Sequence, residues 1–165
     1  MDKYKSDEGR LHTLLLIILI IIVLVYAGYR QNSHSRTEDE NMMNTSEALL
    51  QEWQKAIEAL DIESTFAFYS ENAIYEDPAQ KETQYPAVMK GFEIKKLYED
   101  LYSLPEVSME FISSFVSADG SRAAAEWVWR GKHPMSGENY AIQGVSLLEI
   151  QDNQITREII LYDTK

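Results

Sequence analysis

The sequence predicts an α+β fold, with helices packed on one face of a curved antiparallel sheet, and three features carry that prediction. Apolar residues recur at helical spacing through 44–60, then switch to alternation from Val107 onward. Polar turn stretches, ADGS at 118–121 and QDNQ at 151–154, separate the alternating segments. Helices first and a long meander afterwards is the pattern of helices segregated to one side of a sheet.

Taken in order, Asn44 with Glu47 predicts a helix start. Leu49, Leu50, Trp53, Ile57 and Leu60 then mark one amphipathic face. Asp61 is placed to cap a shorter second helix carrying Phe66 and Tyr69. AIYED, 73–77, reads as a brief strand stopped by Pro78, and Gly91 opens a third helix, FEIKKLYEDLYSL, that ends before Pro105. Beyond it, Val107, Met109, Phe111 and Phe115 are expected on one strand face. Ala123, Ala125, Trp127 and Trp129 form a second such face, and Tyr140, Ile142, Ser146, Leu148 and Ile150 a third, before a last strand ITREIILY at 155–162.

The N-terminal third has a different character. Residues 11–29, LHTLLLIILIIIVLVYAGY, carry no formal charge with His12 neutral and would span roughly 28 Å as a helix, enough to cross a bilayer. A run with no polar face is a poor core helix, so the expectation is one transmembrane anchor at 11–29 behind a cytoplasmic tail of 1–10. Lys3, Lys5 and Arg10 before the span, against Arg30 and Arg36 after it, favour a cytoplasmic N-terminus with the rest outside. A signal peptide cleaved after Ala27 is the other reading, and it gives a secreted domain. Residues 30–45 are polar and aperiodic, a linker spanning about 22 Å if flexible, and 46–165 form the domain.

Charge and composition remove several function classes. The chain of 165 residues has a formal net charge of -12, and 46–165 hold ten basic against twenty-one acidic side chains. Such a surface repels phosphate backbones, so nucleic acid is not an expected partner. Absence of cysteine excludes thiolate nucleophiles, disulfides and cysteine-ligated zinc. His133 is the one histidine of 46–165 and sits in the loop GKHPMSGEN, so neither an HExxH site nor a histidine-based triad is expected. No metal and no cofactor are called for. Lys95, Lys96, Glu99 and Asp100 lie one helical turn apart, a spacing for surface ion pairs.

Asp77 leaves two readings open: a turn initiator ahead of Pro78, or a carboxylate delivered into a pocket by the strand. Alternation puts Ala73, Tyr75 and Asp77 on one face and Ile74 and Glu76 on the other. Trp53 fits core packing, and Trp127 and Trp129 fit a ligand pocket, a helix–sheet contact or a dimer interface equally well.

The order of elements, with AIYEDP, GFEIKKLY, RAAAEWVWRG and YAIQGVSLLEIQDNQI, resembles the nuclear transport factor 2-like superfamily over about 46–163. Within it the chain is most similar to SnoaL-like polyketide cyclases and ketosteroid isomerases. The resemblance implies a cone-shaped barrel of three N-terminal helices on a curved antiparallel sheet, a pocket between them, and dimers formed through the sheet. It also implies an acid–base role for Asp77, which stands where ketosteroid isomerases carry the proton-shuttling aspartate of a Glu-Asp-Pro strand. Their oxyanion-binding tyrosine is replaced by Trp53 and their second aspartate by Ser146.

Two functions follow as expectations. One is a membrane-anchored pocket domain that binds a small hydrophobic or carbonyl-bearing molecule through Trp53, Tyr75, Trp127, Trp129 and Ser146, with Asp77 in isomerase- or cyclase-like chemistry. The alternative is a non-enzymatic accessory or assembly domain of a cell-envelope complex.

Overall fold

The structure, a computed structural model, describes residues 41–79 and 85–162. The expected transmembrane span 11–29 lies outside them; among the described residues no helix is long and apolar enough to cross a membrane.

Helix α1 covers 41–58 of the described residues, so it already runs before Asn44, which is interior rather than a cap. The reason is tertiary. Ser46 is buried and donates to the Gly120 carbonyl at 2.7 Å. The backbone at Met42 also closes on Gly120, where a Cβ would stand 2.7 Å from the Met42 carbonyl carbon. Leu49, Leu50, Trp53 and Ile57 are buried, each side chain contributing about 1.5–3 kcal/mol of apolar burial. Leu60, at φ 55, breaks the helix. Asp61 then caps α2 (Ile62–Ala67), accepting from the Ser64 amide at 3.1 Å and its hydroxyl at 2.7 Å. Those bonds hold its carboxyl below the usual range.

Tyr69 is not in that helix. It opens strand β1 (Tyr69–Glu76), longer than the brief strand expected, because its ring packs with Tyr98 in the core. β2 (Val88–Lys90) pairs back on β1, and Gly91 starts α3 (Phe92–Tyr102) at φ 49, where a Cβ would meet the Glu71 carbonyl oxygen at 2.8 Å. The meander β3 (Ser108–Val116), β4 (Arg122–Lys132), β5 (Asn139–Gln151) and β6 (Gln154–Tyr162) completes the sheet.

The six strands lie in the order β2-β1-β6-β5-β4-β3, and the sheet is mixed rather than wholly antiparallel. β1 and β6 run parallel, Tyr75 beside Glu158. Hairpin turns impose antiparallel pairing on β3 to β6, but β1 reaches β6 only after the long excursion through α3, which frees its direction. Register shifts in β1, β3 and β6 bend the sheet around the helices. The shift between Phe111 and Ser113 also corrects one expected face: Met109 and Phe111 pack against the core, whereas Phe115 is turned outward and 70% exposed.

Candidate functional site

The concave face of the sheet and helices α1 and α3 enclose a cavity of about 220 Å³. It is lined mainly by aromatic rings. All six residues singled out from sequence reach it: Trp53, Tyr75, Asp77, Trp127, Trp129 and Ser146. Tyr98, Leu101, Met109, Tyr140, Ile160 and Tyr162 close the remaining wall together with Ile142.

Each lining residue arrives by a local rule. β1 alternation turns Ala73, Tyr75 and Asp77 inward, all at 2% exposure or less. Glu76 turns outward to Arg157, whose Nη2 lies 2.8 Å from its carboxylate. Asp77 follows the last residue of β1 and extends the pairing, its amide donating to the Ala87 carbonyl at 2.9 Å. Its carboxylate does both things that the sequence left as alternatives. Oδ1 accepts the Ala79 amide at 3.1 Å, shaping the turn through Pro78, and Oδ2 accepts the Tyr162 hydroxyl at 3.1 Å at the cavity wall. Burial, then the neighbouring Asp77 carboxylate, pushes the Tyr162 phenol up to about 12, so it stays a donor.

The indoles are held by rings seated on glycine. Trp127 and Gly144 face each other directly across β4 and β5, and a Cβ on Gly144 would lie 2.5 Å from the Trp127 ring. Tyr140 sits on Gly131 in the same way, four pairs further along. A ring on one strand covering the bare backbone of its partner is a packing motif of sheets, and here it flattens two aromatics into the cavity wall. Every indole N–H is already spent within the protein. Trp53 Nε1 donates to the Tyr69 hydroxyl at 3.3 Å, Trp127 Nε1 to Ser146 Oγ at 3.1 Å and Trp129 Nε1 to the Tyr140 hydroxyl at 3.1 Å. Trp53 therefore both packs the core, tilted on Phe111 at 5.4 Å, and lines the cavity.

Behind Tyr98 sits Glu158, which sequence reasoning passed over. It is fully buried; its Oε2 accepts from Tyr69 at 2.5 Å and Tyr98 at 3.2 Å, and its Oε1 has no hydrogen-bond partner. Burial pushes its carboxyl above the usual range, against the opposing effect of the Tyr69, Ser146 and Tyr98 hydroxyls. The phenols of Tyr69, Tyr75 and Tyr98 are driven well above 10, by burial first and then by Glu158.

Among the described residues there is no group of three or more His, Asp or Glu side chains able to hold a metal. His133 is exposed in its loop. Lys96 pairs with Asp100 one turn on at 3.2 Å, as its spacing predicts, while Lys95 reaches across to Glu63 at 2.6 Å.

The profile of the SnoaL-like domain matches residues 50–158. The chain belongs to the SnoaL-like domain family. Solved structures agree on the fold. The epoxide hydrolase/cyclase-like enzyme SalBIII, of pyran ring formation in polyether salinomycin, superposes at a TM-score of 0.61 with 17% identity, covering 73% of this chain and 92% of that one. A candidate polyketide cyclase of Xanthomonas campestris pv. campestris gives 0.60 and 20%, with 74% and 93% covered. A protein of ketosteroid isomerase-like fold from Catenulispora acidiphila DSM 44928, solved in complex with trimethylamine, gives 0.59 and 18%, with 70% and 85% covered. No match was found among curated proteins. The SnoaL-like chain thus has the nuclear transport factor 2-like α+β fold with a curved mixed sheet, and the cavity lies between that sheet and helices α1 and α3.

Proposed function

We propose that this SnoaL-like domain takes up a small, largely apolar organic molecule in its aromatic cavity, and that Asp77 exchanges a proton with it. The observation that carries the reading is Asp77 itself: a buried carboxylate at the wall of a cavity lined mainly by aromatic and aliphatic side chains. A few convergent polar groups in an apolar hollow is the usual form of a small-molecule site. The volume, about 220 Å³, lies below the roughly 300–1,000 Å³ of sites for drug-sized ligands, which favours a compact ligand over a polycyclic one. The cyclase-like fold of the structural neighbours supports isomerase- or cyclase-type chemistry, while the replacement of the oxyanion donors by Trp53 and Ser146 favours a reaction other than steroid isomerisation.

The chain contains three tryptophans, and all three line the cavity, so intrinsic fluorescence reports occupancy with no added label. Titration of the full chain with a panel of small cyclic ketones, lactones and amines is expected to quench or shift the emission saturably for at least one compound. A panel that leaves the emission unchanged would count against a ligand site.

The anchor reading of 11–29 belongs to the same proposal: the SnoaL-like domain held at the outer face of the cell membrane. Self-association has its own support. On the convex face, Phe115, Ala124, Leu147 and Ile159 are directly paired in one row across four strands. Phe115 and Leu147 are exposed there. An apolar row on an otherwise acidic domain marks a docking face, and a homodimer through the sheet would cover it. Sedimentation is expected to give a dimer for the wild-type chain and a monomer for Phe115→Glu/Leu147→Glu; a wild-type monomer at all concentrations would refute the homodimer.

A further inference from the structure

We infer that the ligand of this cavity carries a positive charge on a compact alkylammonium group, held by the faces of Trp53, Trp127, Trp129 and Tyr98 and by the Asp77 carboxylate. The inference rests on the reading of the cavity as a ligand site and fixes the charge of what enters it; it does not require that Asp77 catalyse anything.

Hydrogen-bond accounting supports it first. The three indole N–H groups are all engaged with protein oxygens, as is the Tyr162 hydroxyl, so the nitrogen donors of the wall are spent and, among the described residues, only the Tyr75 and Tyr140 hydroxyls keep a hydrogen to give. With their N–H groups spent, the indoles have only ring surface to offer a guest, and the face of an aromatic ring is its negative pole. A cation within about 6 Å of a ring centroid is attracted to it, tryptophan most strongly.

Charge balance supports it second. Among the described residues no lysine, arginine or histidine lines the cavity, and none forms an ion pair with Asp77. Its carboxylate is 2% exposed and receives two hydrogen bonds, fewer than the roughly four lone-pair sites of a carboxylate. A buried carboxylate with no countercharge is costly, and a cationic guest supplies the missing charge. The second carboxyl nearby, Glu158, lies behind Tyr98 and is already bonded to two phenols, so it leaves Asp77 as the acid facing the ligand.

The field of the whole domain acts in the same direction. With twenty-one acidic and ten basic side chains over 46–165, the domain concentrates small cations and repels anions at its surface. A mainly aromatic lining with one carboxylate and, among the described residues, no cation suits a tertiary or quaternary ammonium at a volume of about 220 Å³.

Choline and its neutral isostere 3,3-dimethylbutan-1-ol differ at one atom, a charged nitrogen in place of a carbon, and so separate charge from shape. Titrated into the full chain with tryptophan emission as readout, choline is expected to bind about tenfold or more tightly than the isostere. Asp77→Asn is expected to narrow that difference while still taking up the isostere. Trp127→Leu serves as a second variant, expected to lose choline affinity more than isostere affinity. Equal affinity for both probes in the wild-type chain would overturn the inference and leave the ligand site standing. No response to either probe, with a ketone or lactone of the panel binding, would likewise overturn it alone. No response to any compound would overturn it together with the site.

Discussion

Asp77→Asn is expected to leave the domain folded and the cavity formed, and to lower the rate of proton exchange with a bound carbon acid by roughly 10²–10⁴-fold, the usual contribution of a positioned acid–base group. The structure allows such a selective effect. Asparagine keeps the side-chain oxygen that accepts the Ala79 amide, so the turn through Pro78 survives. Its amide nitrogen would face the Tyr162 hydroxyl, which rotates from donating to accepting. Packing against Tyr75 and Tyr162 is unchanged in volume; only the proton acceptor is lost. Isomerisation of a small β,γ-unsaturated cyclic ketone, followed by absorbance, measures the effect, with thermal melting as the check on folding. Tyr162→Phe, which keeps the carboxylate and removes its donor, is expected to slow the same reaction less. A kcat unchanged in Asp77→Asn would reduce Asp77 to its turn-forming role and leave the cavity without a proton acceptor.

The two roles of Asp77 also show what a sequence can and cannot separate. Alternation through Ala73, Tyr75 and Asp77 correctly places all three on the core face, because β1 is regular from Ile74 onward. The same alternation fails at Phe115. A bulge between Phe111 and Ser113 adds one residue to β3, and one extra residue exchanges the two faces of everything beyond it. Nothing local announces such an insertion. The parallel pairing of β1 with β6 is hidden for a related reason, since it joins residues more than eighty positions apart with no turn between them.

Glu158 was illegible for both reasons together. In ITREIILY the apolar residues Ile155, Ile159 and Leu161 share one phase, so counting by two assigns Glu158 to the solvent face. The register shift between Glu149 and Ile150 changes that phase: Ile155 and Glu158 are both fully buried, while Leu161 is exposed. By contrast, the aromatic–glycine pairs Trp127–Gly144 and Tyr140–Gly131 left a visible sign, glycines inside otherwise continuous strand patterns. Those glycines point to a ring lying on the backbone, and so to the cavity wall.

A buried acid that the chain hides so well has a large expected effect on stability. Between pH 5 and 8 the wild-type chain is expected to lose stability relative to Glu158→Gln. The carboxyl is raised above its ordinary 4.5 by burial, the hydroxyls of Tyr69, Ser146 and Tyr98 only partly opposing this. In the unfolded chain the ordinary value returns. From about pH 4.5 upward the folded state therefore holds a proton that the unfolded state has released, and rising pH favours unfolding. The contribution is fully present below that point and is lost as pH climbs through the raised value, at about 1.4 kcal/mol for each unit of elevation. Glutamine has the same shape and no titration, so the difference between the two urea-unfolding profiles isolates this one group from Asp61, Asp100 and Asp119. Those three are lowered in the folded state and act with the opposite sign. Glu158→Ala separates charge from hydrogen bonding. It removes the acceptor of two buried phenols, each left unsatisfied at about 1–3 kcal/mol, and opens a void behind Tyr98. It is expected to be less stable than wild type at pH 5, where glutamine is nearly neutral in effect. Parallel profiles for wild type and Glu158→Gln across the range would mean that Glu158 is ionised in the folded state. The core behind Tyr98 would then carry a second negative charge beside that of Asp77, adding to the field felt by a cationic ligand.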